Sequence, residues 1–290
     1  MNSKPQREYV LILGSMKSGT TTLFDLLSQH PRIAPARSKE PGFFAFEHLW
    51  QEGFSWYDQE YDFNEATHRY RLDGSTDYSK FPFCTEVPRR LQESSNCLFK
   101  LLYILRDPLS RIESHAFHVQ RDRKEVGQLF SPRLDHSLDY GVSPVSMAIS
   151  RYASQLDQFS MWFDRGDLHI VTFERLMQDQ TGVMAEIWSF LGLEPEASTQ
   201  THSNKAAGVV APPPYWRALN DTPFFSRLTK TLVPRYVRQA LKQRLSREVP
   251  IEGRFRLTDQ ERHEIGELLK DDLERLRTRY GVDNREYWSL

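Results

Sequence analysis

The run Tyr9-Val10-Leu11-Ile12-Leu13 empties directly into Gly14-Ser15-Met16-Lys17-Ser18-Gly19-Thr20-Thr21-Thr22, and no other stretch constrains the fold as tightly. A short aliphatic and β-branched run, then a Gly/Ser/Thr-rich turn, then a helical pattern make a strand, loop and helix in succession. The backbone N–H groups of such a loop converge at the positive end of a helix dipole and cradle an anion. The lysine narrows the kind of anion. A nucleoside triphosphatase loop reads G-x-x-x-x-G-K-[ST], with its lysine directly after the second glycine. Gly14 and Gly19 keep that spacing, but Thr20 stands where the lysine belongs and Lys17 lies inside the loop. An ATP-dependent P-loop kinase is therefore disfavoured and is kept as an alternative.

The rest of the chain alternates strand and helix signals. A helix is predicted over residues 21–29, with Leu23, Leu26 and Leu27 on one face and Pro31 as its stop. Strands are predicted at 33–34, 69–73, 97–105 and 168–172. The third of these is a nearly continuous apolar run, which suits a central parallel strand covered on both faces. Pro108 opens a helix, residues 145–163 carry helical periodicity, and a helix over 184–191 ends at Gly192. This alternation predicts an α/β fold, a central parallel sheet flanked by helices, with ligands at the carboxyl ends of its strands. Both Gly14 and Arg106 fall at such ends. The pattern weakens over 206–250, where Pro212-Pro213-Pro214 breaks the chain and a basic stretch follows; it resumes in a final helix from Thr258 or Asp259 to about Tyr280. The expected organisation is a single domain over 1–290: a core at 8–195, a cap or loop region at 196–256 and a C-terminal helix at 257–290.

A formal net charge of -1 argues against nucleic acid or an anionic membrane as a general electrostatic partner and leaves room for local basic patches. Cys84 and Cys97 are too few for a disulfide framework and lack metal-ligand spacing, which points to a reducing compartment. The polar N-terminus, with no apolar leader and no run near the roughly 18 residues of a membrane span, gives the expectation of a complete, cytoplasmic chain.

The second informative segment is Arg106-Asp107-Pro108, with Ser114 further along the helix that follows. Two helical turns return the chain near the same face, so an arginine leaving the strand and this serine can share a phosphate. In order and spacing, the two segments resemble the donor site of sulfotransferases that use 3′-phosphoadenosine 5′-phosphosulfate (PAPS). Tyr152, Phe173-Glu174-Arg175-Leu176 and Phe190-Leu191-Gly192-Leu193 resemble further landmarks of that family and extend the likeness to about residue 195.

The resemblance implies a P-loop-containing nucleotide hydrolase-like fold and transfer of a sulfuryl group to a hydroxyl acceptor, leaving adenosine 3′,5′-bisphosphate (PAP) and needing no metal. It implies that Lys17 contacts the oxygen bridging phosphate and sulfate, that Ser18, Gly19, Thr20, Thr21 and Thr22 cradle the 5′-phosphate, and that Arg106 and Ser114 hold the 3′-phosphate. Glu40, before the pair Phe43-Phe44, aligns with the acidic base of heparan-type and bacterial members; His115 is the second candidate base. Lys205 is a candidate phosphate ligand on a closing segment. His115 and His118 have no third metal ligand placed by spacing. One position departs from the heparan-type pattern: Gly74 replaces a lysine that assists at the active site, so Lys39 or Lys80 takes over or the acceptor does not need that contact. Ser75 and Tyr78 are candidate acceptor-cleft residues, with core packing the equal alternative for Tyr78, and the aromatics from Phe43 to Tyr61 are expected to be mostly core, with some forming acceptor-cleft walls. A catalytically silent nucleotide-binding module is the alternative outside enzymes.

Overall fold

A computed structural model describes residues 6–121, 142–195, 209–211, 247–249, 256–283, 285, 287, 288 and 290. Five parallel strands form the central sheet: β1 (Arg7–Gly14), β2 (Ile33–Pro35), β3 (Tyr70–Asp73), β4 (Cys97–Leu105) and β5 (Leu168–Thr172), in the order β2-β3-β1-β4-β5. β1 pairs with β3 on one side and β4 on the other, so the connections leaving it diverge at its carboxyl end. A crevice at such a switch point is where open α/β sheets bind ligands.

Period-two alternation assigns the core. Val10 and Ile12 of β1 join Leu102 and Ile104 of β4 on one face, beneath α1 (Thr20–Leu27), α8 (Phe173–Gln178) and α9 (Gln180–Leu191). Tyr9, Leu11 and Leu13 point the other way, with Phe99, Leu101, Tyr103 and Leu105, toward α2 (Glu47–Asp58), α3 (Val87–Glu93), α6 (Tyr152–Asp157), α7 (Ser160–Asp164) and α10 (Asp259–Tyr280). Burial of each such large apolar side chain contributes about 1.5–3 kcal/mol, which fixes which face each residue takes. α4 (Pro108–Arg121) and α5 (Pro144–Ser150) add a third cluster, in which Leu109 and Ile112 meet Ile265 and Leu269 of α10. Glu113, buried on α4, accepts from Arg256 at 2.5 Å, from Arg262 and from the backbone N–H of Leu257.

Three expectations change. The periodic stretch 145–163 is three short helices, not one. The break at Arg151 has φ -81° and ψ 77°, and it starts a new helix whose Ala153 and Ser154 N–H groups donate to the Asp272 carboxylate of α10. Local periodicity does not register a cap delivered from so far along the chain. The helix predicted from 184 begins at Gln180, where the Asp179 side chain accepts from the Gly182 N–H. Within 206–250, expected to be loop and helix, Val209–Ala211 (β6) and Arg247–Val249 (β7) pair as antiparallel strands. The chain divides into two compact units, residues 1–201 with 255–290 and residues 202–254, and the second contains that pair. Among the described residues no helix is long and apolar enough to cross a membrane.

Candidate active site

The loop after β1 has the geometry of an anion cradle. Lys17 (φ 72°) and Gly19 (φ 93°) both have left-handed backbones, a pattern that turns successive N–H groups toward a common side. Gly19 is the N-cap of α1 and offers no side chain to its first-turn N–H groups, which stay directed at a ligand position. A Cβ at Gly19 would meet the Phe173 ring at 2.5 Å, so only glycine permits this approach. Ser15 and Ser18 are buried with their hydroxyls 2.6 Å apart, and Thr20 and Thr22 are buried while Thr21 is exposed.

β4 delivers the second element. The Arg106 guanidinium stands over the Phe173 ring, 4.9 Å from its centroid, and donates to the Lys17 carbonyl at 3.4 Å. Asp107 caps α4, its carboxylate accepting from the Ser110 N–H at 2.6 Å, and Pro108 follows at the first helical position, where its missing N–H costs nothing. The Tyr152 hydroxyl donates to the Arg106 carbonyl at 2.7 Å. Ser114 is half-buried on α4, and His115 beside it is buried. Burial, reinforced by the positive charge of Arg111, His118, Lys17 and Lys80, pushes the His115 imidazole down to about 3, so it is neutral near pH 7.

The third element joins the segment after β2 to that after β3. Lys39 Nζ lies 2.7 Å from Glu40 Oε1 and 3.3 Å from Thr20 Oγ1, linking the acid to the phosphate loop. Glu40 Oε2 also accepts from the Thr76 hydroxyl at 3.2 Å. Gly74 packs against Lys39, and a Cβ there would lie 3.4 Å from the lysine's Cγ. The Lys39 stem thus runs beside the position where Gly74 has no side chain. Lys80 is buried and paired with Asp77 at 2.5 Å.

Behind these groups, Asp73 is fully buried and accepts from the Tyr57 and Tyr78 hydroxyls, each at 2.6 Å, and from the Ser75 N–H at 2.8 Å. Burial raises its carboxyl to about 6 despite those donors. Tyr78 therefore belongs to the core, and Ser75 is occupied by the Gly42 N–H at 2.9 Å, so neither lines an acceptor cleft. Phe43, Phe44 and Tyr57 are likewise core, with Phe43 and Tyr57 stacked at 4.3 Å.

The structure thus brings Arg106 to the Lys17 carbonyl of the loop that runs on through Ser18 to Thr22, places Ser114 and His115 on the helix that follows Arg106, and ties Glu40 to the loop through Lys39. Lys205 lies outside the described residues. Sequence reasoning missed Thr76, Phe173 and the capping role of Asp107, although an Asp-Pro pair after a strand is itself a helix-start signal. Among the described residues no group of His, Cys, Asp and Glu is arranged to hold a metal ion. A cleft of about 620 Å³ between Glu8, Arg69, Lys100 and Asp167 lies at the amino ends of the strands, away from the loop.

A parallel sheet with an anion-cradling loop at its switch point, an arginine on the next strand end and no side-chain cap on α1 defines a P-loop-like nucleotide-binding α/β protein. The family model for the sulfotransferase domain matches residues 7–206, and the chain belongs to that family. It is 31% identical over 192 residues to heparan sulfate glucosamine 3-O-sulfotransferase 6 of Homo sapiens, covering 63% of this chain and 52% of that one. It is 30% identical over 196 residues to the human 3-O-sulfotransferase 3B1, covering 65% and 47%. The chain spans about half the length of these curated relatives. A sulfotransferase of known structure from Alicyclobacillus acidocaldarius shares the fold, with TM-score 0.54, 22% identity and coverage of 82% of this chain and 96% of that one.

Proposed function

We propose that this protein transfers a sulfuryl group from PAPS to the hydroxyl of a carbohydrate, lipid or small-metabolite acceptor. The observation that carries the reading is the meeting of two motifs: a loop whose lysine lies inside it, and an arginine from the next strand end that reaches that lysine's carbonyl at 3.4 Å. A nucleotide with phosphates at both the 5′ and 3′ positions needs both.

The residues fit such a donor. Ser18 to Thr22 cradle the 5′-phosphate, Arg106 and Ser114 bind the 3′-phosphate, and Lys17 stabilises charge on the leaving oxygen. The donor supplies an activated sulfur. In the transfer, the acceptor oxygen forms a bond to that sulfur as the bond from sulfur to the 5′-phosphate oxygen breaks, and the leaving phosphate keeps the electron pair. Glu40 takes the acceptor proton. Catalysis here is alignment plus charge stabilisation, as in phosphoryl transfer.

Glu40 is favoured over His115 because the imidazole, buried among cations, is too weak a base near pH 7. His115 then serves as a neutral hydrogen-bonding wall. Lys39 takes the place of the cation absent at Gly74, since its ammonium touches both Glu40 and the loop while Lys80 is committed to Asp77.

Thermal denaturation with two ligands tests the donor reading. Adenosine 3′,5′-bisphosphate at about 100 times its Kd should stabilise the protein by about 2.7 kcal/mol. Stabilisation by ATP with Mg²⁺ and none by the bisphosphate would overturn the proposal in favour of a kinase.

A further inference from the structure

Two arginines in this fold are almost completely removed from water, Arg90 and Arg111. Arg90 has a carboxylate partner, Glu47. Arg111 has none among the described residues. From α4 it donates Nε to Ser150 Oγ at 2.9 Å, and Nη2 to Ser150 Oγ at 2.7 Å, Ser146 Oγ at 2.8 Å and the Ser146 carbonyl at 2.6 Å. Every one of these acceptors is neutral, and among the described residues Nη1 has no acceptor. A buried charge without a counter-charge is among the most destabilising features a fold can carry, and burial accordingly lowers the guanidinium's own pKa.

Its surroundings say where a counter-charge would come from. Arg111 lies within electrostatic reach of Tyr152, Tyr103 and Arg106. The Tyr152 hydroxyl contacts the Arg106 carbonyl and lies against Ser15 and Ser18 of the loop. Tyr103 pairs in register with Gly14, the first residue of that loop. His115, one turn further along α4, feels both Arg111 and Lys17. Arg111 and the loop therefore share neighbours: Tyr152, whose hydroxyl reaches the Arg106 carbonyl, and Tyr103, whose ring lies beside Gly14.

We propose that Arg111 is a positioning residue of the donor site: the phosphates of the bound nucleotide are its counter-charge, acting through the low-dielectric wall of Tyr103 and Tyr152, not by contact. The inference rests on the donor reading above. In this arrangement Arg111 has no carboxylate partner among the described residues, and nucleotide binding supplies the opposite charge. Part of the affinity then depends on ligand charge and not on ligand shape.

The test is calorimetric binding of adenosine 3′,5′-bisphosphate, adenosine 5′-monophosphate and adenosine at one low ionic strength. The electrostatic loss scales with ligand charge, so the monophosphate should lose about half as much, on a logarithmic scale, as the bisphosphate. Arg111→Met should weaken the bisphosphate at least tenfold and the monophosphate about threefold, and leave adenosine unchanged. Arg111→Lys, which keeps the charge and loses the fork, should stay within about twofold of wild type for all three. If Arg111→Met does not fold, Arg111→Gln keeps a donor for the serines and takes its place as the neutral variant. Equal losses for all three ligands, no loss for the bisphosphate, or a lysine variant as weak as the neutral one would each overturn the proposal. Failure of the wild-type protein to bind the bisphosphate would instead overturn the donor reading itself.

Discussion

Around Gly14 to Thr22 the site is made of backbone and buried side chains, whereas around Glu40 it is made of half-exposed side chains held by one or two polar contacts each. The Glu40 side chain is 39% exposed and that of Lys39 23%, while Ser15 and Ser18 are sealed from solvent. The first region is rigid because its shape is the packing of the sheet. The second is positioned by links between segments far apart in sequence: Thr20, Lys39-Glu40 and Thr76. A transferase that must hold one donor and admit an acceptor has reason to build its two sides in these ways.

Substitutions can separate the two sides, and the largest effect is expected at Glu40. Glu40→Gln should lower kcat by about a thousandfold, the loss of a general base, with the Kd for adenosine 3′,5′-bisphosphate within about twofold of wild type. Unimpaired turnover would remove Glu40 from the reaction. Lys39→Met should cost about tenfold in kcat, and adding Gly74→Lys to it should restore part of the loss if a cation at that spot is what matters.

Gly19→Ala should show the converse pattern. The new Cβ would overlap Phe173 at a left-handed backbone position, so the change should cost about 1–3 kcal/mol of stability and weaken bisphosphate binding. If binding and melting temperature are both unchanged, the loop is not the rigid side.

The smallest effect concerns pH. His115 is held near 3 in the folded protein against 6.5 in the unfolded chain, so the unfolded state binds the extra proton first as pH falls. Its contribution to stability is present above pH 6.5 and is lost as pH drops toward 3. His115→Gln should flatten that part of the stability profile, by a few kcal/mol at most. Asp73, raised from 3.8 to about 6, acts with the opposite sign between those values, because there the folded state binds the proton more readily. The flattening should therefore be clearest in an Asp73→Asn background, read by denaturant melts at pH 4, 5, 6 and 7.

The same division decides what the sequence revealed. The strand and loop from Tyr9 to Thr22, the strand Cys97–Leu105 and the Arg106-Asp107-Pro108 turn were legible because their signals are local: an apolar run, a glycine, a proline. The aromatic segment after Phe43 was legible only in part. Its residues were recognised as core, but the helix Glu47–Asp58, with Gly53 in an extended, positive-φ conformation inside it, was not foreseen. Sequence alone leaves Tyr78 open between cleft and core and reads Ser75 as a cleft residue, because their partner Asp73 is a buried carboxylate and burial is a property of the fold. Arg111 could not be distinguished from any other helix arginine until its neighbours were seen to lack a carboxylate.

The buried Glu113 carries a last consequence. Its carboxylate holds Arg256, Arg262 and the Leu257 N–H, all of them beyond residue 206, where the match to the sulfotransferase domain ends. A fragment trimmed to that match would leave the buried Glu113 side chain without these partners, one residue before Ser114, and would also strip Asp272 from the start of α6. The stretch matched by the family thus stops short of the partners that Glu113 and the start of α6 use. The helix that carries Ser114 and His115 is held in part by a stretch of chain beyond the family match.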